Sequence, residues 1–354
     1  PYSAWRSIAP RSWLPVLTAD SGLVAAGAST FGADAMGWHV YSAALQYEAT
    51  QHEPLASLQY LYEDQHLFTF QRDLTPRAWK AGDNNTDEVT SYDRNTSAQW
   101  LSVVPWVRVD RIFTVGVGAA LNTVDRVHPE FVSGSPPPDE RLLAGLLSYN
   151  SSGSNWWSEG KNRGQRATLL YETYKPFARD GRKDYDGQVL RLDWLGYVPL
   201  GRSVLGLRYT EAYAKGHTER FQLGGEIDSQ LQIGVELDNR DIMLRGYRGD
   251  EPNLRGANAR VASFEWRTPI ADVDQHFMTP AVGVNRVSAA TFFDIGGAWN
   301  EGHRPQRYQR GVGVELLGEL KFLYSQGLQL RLGVSRGLDE PQGNRGYVAV
   351  GRAF

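Results

Sequence analysis

The stretch IMLRGYRGDEPNLRG, residues 242–256, concentrates the polar chemistry of this chain. It holds three arginines, two acids and three glycines, and its flanks have the pattern of strands. A guanidinium can grip a carboxylate through two parallel hydrogen bonds, and glycine permits a tight turn that would present it. The stretch therefore predicts a charged loop, and the role of this loop depends on the elements around it.

Residues for other chemistries occur without the spacing that those chemistries need. The chain has no cysteine, and its seven histidines show no ligand spacing, so we predict no metal site. No Gly-x-Ser-x-Gly elbow occurs, and GVGVELLG has no strand-to-helix setting for a nucleotide. For GDNNTDE a solvated loop is favoured over calcium. We predict no catalytic residue and no cofactor; a hydrolase whose serine, histidine and aspartate come from separate strands stays open.

Period-two alternation is the main structural signal. In VGVELLGELKF, Val312, Val314 and Leu316 oppose Glu315 and Glu319, as in a strand with one apolar face. Such segments, about sixteen in all, begin near residues 23, 39, 55, 66, 98, 112, 141, 166, 189, 204, 220, 260, 289, 311, 327 and 347, the one at Arg220 being doubtful. No convincing helical periodicity occurs. The chain is therefore predicted to be all-β.

Connections alternate between tight ones, such as 199–203 and 109–111, and long polar ones, such as 81–95 and 128–140. This asymmetry is typical of outer-membrane barrels, with short turns at one rim and long loops at the other. About sixteen strands enclose a space too wide for side chains to fill, so the polar face suits a wet lumen and the apolar face suits lipid. A soluble sandwich with the polar face in bulk water would show the same alternation.

These patterns predict a transmembrane antiparallel β barrel of about sixteen strands. We assign residues 21–354 to the barrel and residues 1–20, which lack alternation, to a connector from an N-terminal periplasmic region. Phe354 ends the last strand, and a terminal aromatic of this kind is the assembly signal of bacterial outer-membrane barrels. With a net charge of −3 and no basic block, nucleic acid is not an expected partner.

An ordered set of motifs resembles the barrel domain of the BamA/TamA-type bacterial surface antigen superfamily. The set comprises ERFQLGG from Glu219, LRGY at Leu244, Arg245, Gly246 and Tyr247, EWRTP from Glu265 and FFDIG at Phe292–Gly296. The family often passes almost directly from LGG to RGY. Here residues 226–243 intervene, so an extra hairpin is expected. Residues 2–16 are similar to the entry of barrels fused behind periplasmic Tol-type β propellers.

The resemblance implies that the LRGY loop folds back into the barrel and that Arg245 pairs with Asp294. Phe292 and Gly296 share the face of Asp294, which is inward if Trp299 faces lipid. Glu265 is a candidate second acceptor with Arg267 close by, and these residues form the lumen wall near the loop.

The implied function is outer-membrane protein assembly or polypeptide translocation, without covalent chemistry, in the bacterial outer membrane. The implied partners are the lipid bilayer, a polypeptide client and a periplasmic N-terminal domain or partner. The alternatives are a passive solute channel, a surface enzyme and a membrane anchor for a periplasmic propeller.

Overall fold

Sixteen antiparallel strands form one sheet. Successive side chains along each strand point to opposite faces of this sheet, which accounts for the alternation in the sequence. The strands are β1 (Leu14–Asp20), β2 (Leu23–Ala33), β3 (His39–Glu48), β4 (Glu53–Tyr62), β5 (His66–Ala81), β6 (Asp87–Val107), β7 (Ile112–His128), β8 (Glu140–Asn150), β9 (Gly164–Thr173), β10 (Gln188–Leu200), β11 (Ser203–Lys215), β15 (Asn258–Met278), β16 (Ala281–Trp299), β17 (Gln309–Phe322), β18 (Gln326–Gly337) and β19 (Arg345–Gly351). Each strand pairs with the next along this series.

The computed structural model describes residues 4, 7–10, 13–20, 23–81, 87–128, 139–155, 158, 160–177, 185–225, 237–249, 251–278, 281–300, 302, 307–322, 326–339 and 343–351. Helix appears there as short 3-10 turns such as Lys175–Phe177 and Pro252–Leu254. Among these residues no helix is long and apolar enough to cross a membrane.

The segment between β11 and β15 forms a small sheet of its own. Its strands are β12 (Phe221–Leu223), β13 (Asp241–Ile242) and β14 (Arg255–Gly256), with β12 at the centre. β12 pairs in parallel with β13 and antiparallel with β14. The LRGY residues follow β13 directly and form a turn. This small sheet therefore joins the segments that precede and follow the LRGY residues.

The chain divides into two compact units. The first comprises Pro1–Val104, Gly116–Gly145 and Thr173–Asp186. Among its described residues, Leu74, Leu101 and Leu142 are buried. A carboxylate of the same unit, Glu53, pairs with Arg72 at 3.1 Å and with Arg94 at 3.3 Å. These ion pairs therefore link β4, β5 and β6.

The second unit comprises Pro105–Val115, Leu146–Glu172 and Gly187–Phe354, and it contains the loop. We call inner the face of its sheet against which the loop lies, and outer the opposite face. Along β15, Ser263 is buried on the inner face, whereas Phe264 and Trp266, on the outer face, are 48% and 51% exposed. Large apolar residues on the outer face and polar residues on the inner face confirm the predicted polarity of the strands.

Strand β1 corrects the predicted connector at residues 1–20. Leu14–Asp20 pairs with β2 along its whole length, from Leu14 opposite Ser29 to Asp20 opposite Leu23. The segment is short and contains Pro15, so it carries too little alternation to be recognised as a strand, whereas backbone pairing requires no side-chain pattern. The sheet therefore begins at Leu14, inside the stretch assigned to the connector.

Two further expectations differ from the structure. Residues 87–95 of the expected long loop belong to β6, because backbone pairing with β5 continues through polar sequence as far as Ala81 opposite Asp87. The doubtful segment at Arg220 supplies only β12, in the small sheet. With β1 in its place, the strand count of sixteen is confirmed. Most of the expected extra hairpin, residues 226–236, lies outside the described residues.

Candidate functional site

Arg245 and Asp294 meet at the tip of the loop. The Nε and Nη2 atoms of Arg245 donate to the two carboxylate oxygens of Asp294, both at 2.9 Å, and the backbone N–H of Arg245 adds a third bond at 3.1 Å. The side chains of Arg245 and Asp294 are 1% and 0% exposed. This is the two-point geometry that a guanidinium and a carboxylate favour. The contact joins the loop tip directly to β16.

Two further carboxylates surround the same guanidinium. Nη1 of Arg245 donates to Glu265 at 2.7 Å and to Glu315 at 3.4 Å. Glu315 also accepts from Arg331 at 2.5 Å and from the hydroxyl of Tyr347. With Asp294 of β16, the network therefore joins the loop to β15, β16, β17, β18 and β19.

Phe292 and Gly296 complete the surroundings of the pair from β16. The guanidinium carbon of Arg245 lies 3.6 Å from the centroid of the Phe292 ring, a cation–π contact. A Cβ added at Gly296 would lie 3.2 Å from Cδ1 of Leu244, so the glycine leaves room for this fully buried leucine. Phe292, Asp294 and Gly296 share the inner face, as their spacing predicts.

Glycines of β17 and β18 let the backbone of the tip lie on the sheet. A Cβ at Gly311 would come within 1.9 Å of the carbonyl oxygen of Arg245, and one at Gly337 within 2.9 Å of the ring of Tyr247. Gly246 has φ +94°, a conformation that glycine adopts at no steric cost, and a Cβ there would meet the backbone of Arg336 at 2.8 Å. The close approach of the loop tip to the sheet therefore requires glycine both in the loop, at Gly246, and in the strands, at Gly311 and Gly337.

Tyr247 is fully buried and fixes the far side of the tip. Its hydroxyl donates to the carbonyl oxygen of Arg310 at 2.8 Å, and the backbone N–H of Asp339 donates to that hydroxyl at 3.4 Å. The aromatic ring fills the space above Gly337, and its polar end finds partners, as a buried tyrosine requires.

A second anchor holds the part of the loop that precedes β13. Nη1 of Arg240 donates to Glu172 of β9 at 2.6 Å, and its Nη2 donates to Asp238 at 3.1 Å. The Arg240 and Glu172 side chains are 4% and 0% exposed, and the guanidinium faces the ring of Phe221 at 5.7 Å. Sequence reasoning missed this pair because residues 68 apart become neighbours only when the loop crosses to β9.

Two more arginines bind the backbone of the same segment. Arg208 of β11 donates to the carbonyl oxygen of Met243 at 2.5 Å, and Arg191 of β10 donates to that of Asn239 at 3.1 Å. Carbonyl groups of an irregular segment need partners when they leave water, and these guanidiniums supply them. The loop is therefore attached to the inner face on both sides of β13.

Two titrating groups of the loop, Arg245 and Glu219, both have raised pKa values, which favours the charged form of the arginine and the neutral form of the glutamate. Burial alone would lower the pKa of Arg245, but the charges of Asp294 and Glu265 outweigh it and raise that pKa well above its usual value. Burial and the charge of Asp238 raise the pKa of Glu219 to about 7. The carboxylates of Glu219 and Asp238 lie within 4.8 Å of each other. Arg245 is thus permanently charged, whereas Glu219 titrates near neutral pH.

Two predicted site residues remain, Arg267 and Phe354. Arg267 lies near Glu265, with its Nε 3.5 Å from Oε1, and its Nη2 donates to the carbonyl oxygen of Lys161 at 3.1 Å. Phe354 lies outside the described residues, and its role as an assembly signal stays a prediction. Sequence reasoning missed Glu315, Arg331, Tyr347, Gly311 and Gly337. The alternation places Glu315 on the polar face, but the register that aligns it with Arg245 exists only in the folded sheet.

Comparison with known proteins supports the fold through structure and not through sequence. No family model matches the sequence, and a search of the curated proteins found no match. The solved structures do contain similar chains.

The strand order, the apolar outer face and the loop on the inner face are those expected of the predicted sixteen-stranded antiparallel β barrel. CdiB from Escherichia coli aligns with a TM-score of 0.58 and 11% identity, over 92% of this chain and 58% of that one. CdiB from Acinetobacter baumannii aligns with a TM-score of 0.53 and 13% identity, over 95% of this chain and 57% of that one. The chain thus spans less than two thirds of either. The likeness shows the fold, and the predicted fusion to a propeller stays a prediction.

Proposed function

We propose that this chain is the membrane barrel of a polypeptide transporter in the outer membrane of a Gram-negative bacterium, with the LRGY loop as its plug. The resemblance of the motifs to the BamA/TamA-type superfamily and the similar CdiB structures of two-partner secretion support transport of a polypeptide. Export, not membrane assembly, is the activity that these similar structures favour.

The observation that carries the proposal is the attachment of Arg245 to three carboxylates from β15, β16 and β17. Removing one partner of a buried ion pair costs about 3–5 kcal/mol, because the other charge is left without compensation. A loop tip held in this way stays on the inner face unless a partner compensates its charges. A plug of this kind keeps the membrane closed to small solutes until a client arrives.

The partners follow from the two faces of the sheet. The outer face, with exposed residues such as Phe264 and Trp266, contacts the lipid bilayer. The inner face and the loop contact the polypeptide client. A periplasmic N-terminal domain or partner delivers that client. The work done is binding and movement, so we assign no catalytic residue, metal or cofactor.

Conductance across a planar lipid bilayer tests the plug. We expect small, infrequent openings of the unmodified chain and large, stable openings of Arg245→Ala. Arg202→Ala is the matched control, because Arg202 lies in the tight turn after β10 and pairs there with the exposed Asp272 at 2.7 Å. Equal, large conductance of all three proteins would identify the chain as a passive solute channel and reject the plug.

Export of a polypeptide needs a second measurement. Cells carrying the full-length protein and its candidate client would be assayed for the client outside the cell. We expect export to be lost with Arg245→Ala and to be retained with Arg202→Ala. If the client is still exported after the barrel is removed while the propeller or another periplasmic domain remains functional, the barrel serves only as an anchor.

A further inference from the structure

A cavity of about 80 Å³ lies between the loop and the inner face of β10, β11 and β15. Gly206 forms part of its floor, with Tyr197 opposite it on β10 and Glu265 opposite it on β15. A side chain at position 206 would reduce this space, since an added Cβ would already contact the carbonyl oxygen of Glu265 at 3.6 Å. The glycine therefore gives the cavity its depth.

The lining of the cavity combines apolar side chains with cationic ones. Leu195 of β10 and Ile242 and Met243 of the loop supply apolar surface. The guanidiniums that line the cavity are those of Arg191, Arg208, Arg245, Arg267 and Arg331, whereas the lining carboxylates are those of Asp193 and Glu265. An occupant that complements this lining carries a negative charge beside an apolar group.

Two buried polar groups in the cavity have unused hydrogen-bonding capacity. The hydroxyl of Ser263, 5% exposed, makes no hydrogen bond within the described residues. The Nε of Arg267, 7% exposed as a residue, likewise makes no hydrogen bond there; Oε1 of Glu265 lies 3.5 Å from it, and the guanidinium stands 5.6 Å from the centroid of the Tyr197 ring. A buried donor without an acceptor destabilises the fold, and an oxygen atom of a ligand would accept a hydrogen bond from the hydroxyl or from the guanidinium.

We propose that this cavity binds an acidic side chain of the translocated polypeptide together with the apolar residue next to it. The carboxylate accepts hydrogen bonds from Arg267 and Ser263, and the apolar neighbour packs on Leu195, Met243 and Tyr197. The proposal rests on the transport function and adds to it a preference for client segments in which aspartate or glutamate adjoins a large apolar residue. Because the loop supplies one wall, an occupied cavity contacts the plug directly.

The test uses the whole chain in detergent micelles and a short, blocked, fluorescent peptide with one aspartate between leucine and phenylalanine. Fluorescence anisotropy measures its Kd. The same peptide with asparagine in place of aspartate should bind about tenfold more weakly, because a charge-assisted hydrogen bond becomes a neutral one. Arg267→Gln should weaken the aspartate peptide about as much and should barely affect the asparagine peptide.

Arg202→Gln is the matched control for charge, since it removes a guanidinium outside the cavity. Gly206→Val fills the floor without removing charge and should weaken both peptides, and Gly318→Val is its control because a Cβ at that position meets only Leu330 at 3.9–4.0 Å. These glycine variants keep the test decisive if Arg267→Gln does not fold. Equal binding of the two peptides, or equal effects of Arg267→Gln and Arg202→Gln, would overturn the proposal.

The outcomes separate this inference from the plug. If Arg245→Ala opens the pore but the aspartate peptide has no preference, the plug stands and the cavity proposal fails. If the peptide binds with the expected preference but the unmodified chain conducts freely, the cavity stands and the plug fails.

Discussion

The backbone carbonyl of Arg245 lies so close to Gly311 that a Cβ there would come within 1.9 Å of the carbonyl oxygen. Glycine ordinarily weakens a strand, since it adds conformational entropy and no side-chain packing. At this position it is required, because the loop tip lies on the strand backbone itself. The charged contacts of Arg245 therefore depend on an uncharged feature of β17.

Gly311→Ala is expected to lift the loop tip from the sheet. Overpacking at a buried contact costs about 1–3 kcal/mol, and here backbone and not a flexible side chain must move. Limited proteolysis of the loop should become faster and the thermal unfolding midpoint should fall. Gly318→Ala, on the same strand, meets only Leu330 at 3.9–4.0 Å and should change neither. Indistinguishable behaviour of the two variants would show that the loop does not rest on β17.

The pairing of Arg245 with Asp294 should appear as coupling in a double-mutant cycle. Arg245→Ala and Asp294→Ala should each destabilise the barrel by about 3–5 kcal/mol, and the double variant should lose much less than the sum. Heat-modifiable migration on gels and urea unfolding provide the measurements. Independent, additive losses would argue against direct contact in solution.

Arg245→Lys separates charge from geometry at the same position. Lysine keeps the positive charge but cannot make two parallel bonds to Asp294 while also reaching Glu265. Loop protection should therefore fall to a level between those of the unmodified chain and Arg245→Ala. Full protection in the lysine variant would mean that charge alone holds the tip.

The second anchor should hold its own part of the loop. Glu172→Gln removes one of the charged partners of the buried guanidinium of Arg240 and leaves its ion pair with Asp238, so we expect a loss of about 3 kcal/mol. Hydrogen exchange should increase at residues 237–242 before it increases at the LRGY tip. Asp110→Asn, in an exposed pair with Arg111 at 3.6 Å, is the control and should cost less than about 1 kcal/mol. Simultaneous loosening of both regions would mean that the two anchors form one unit.

Protonation of Glu219 should make the loop more stable in mild acid than at neutral pH. Its folded pKa of about 7 lies above the ordinary value of 4.5, so the folded chain holds this proton more tightly than the unfolded chain. The stabilisation is complete below pH 4.5 and is lost as the pH rises through 7. Glu219→Gln should flatten the dependence of loop protection on pH between 5 and 8, and Glu251→Gln in the same loop should not. An unchanged pH profile in Glu219→Gln would assign the effect to other groups.

Pattern reasoning succeeded where one residue and its near neighbours carry the information. Strand after strand alternates, so the two faces of β15 and β17 and the face that Asp294 shares with Phe292 and Gly296 followed from the spacing. It failed at β1, where Pro15 and a short length hide the alternation, and between Asp87 and Asn95, where polar residues continue a strand that only its pairing with β5 defines.

By itself, the sequence determined the all-β class, the approximate strand number and the polarity of the faces, because period-two alternation is local and repeats along every strand. The tertiary structure alone decided which carboxylates surround Arg245, which glycines lie beneath the loop tip and that Arg240 reaches Glu172. The contacts of Arg245 with Asp294 and Glu315 and of Arg240 with Glu172 join residues 49 to 70 positions apart. They depend on strand register and on the path of the loop, and neither leaves a periodic trace in the chain.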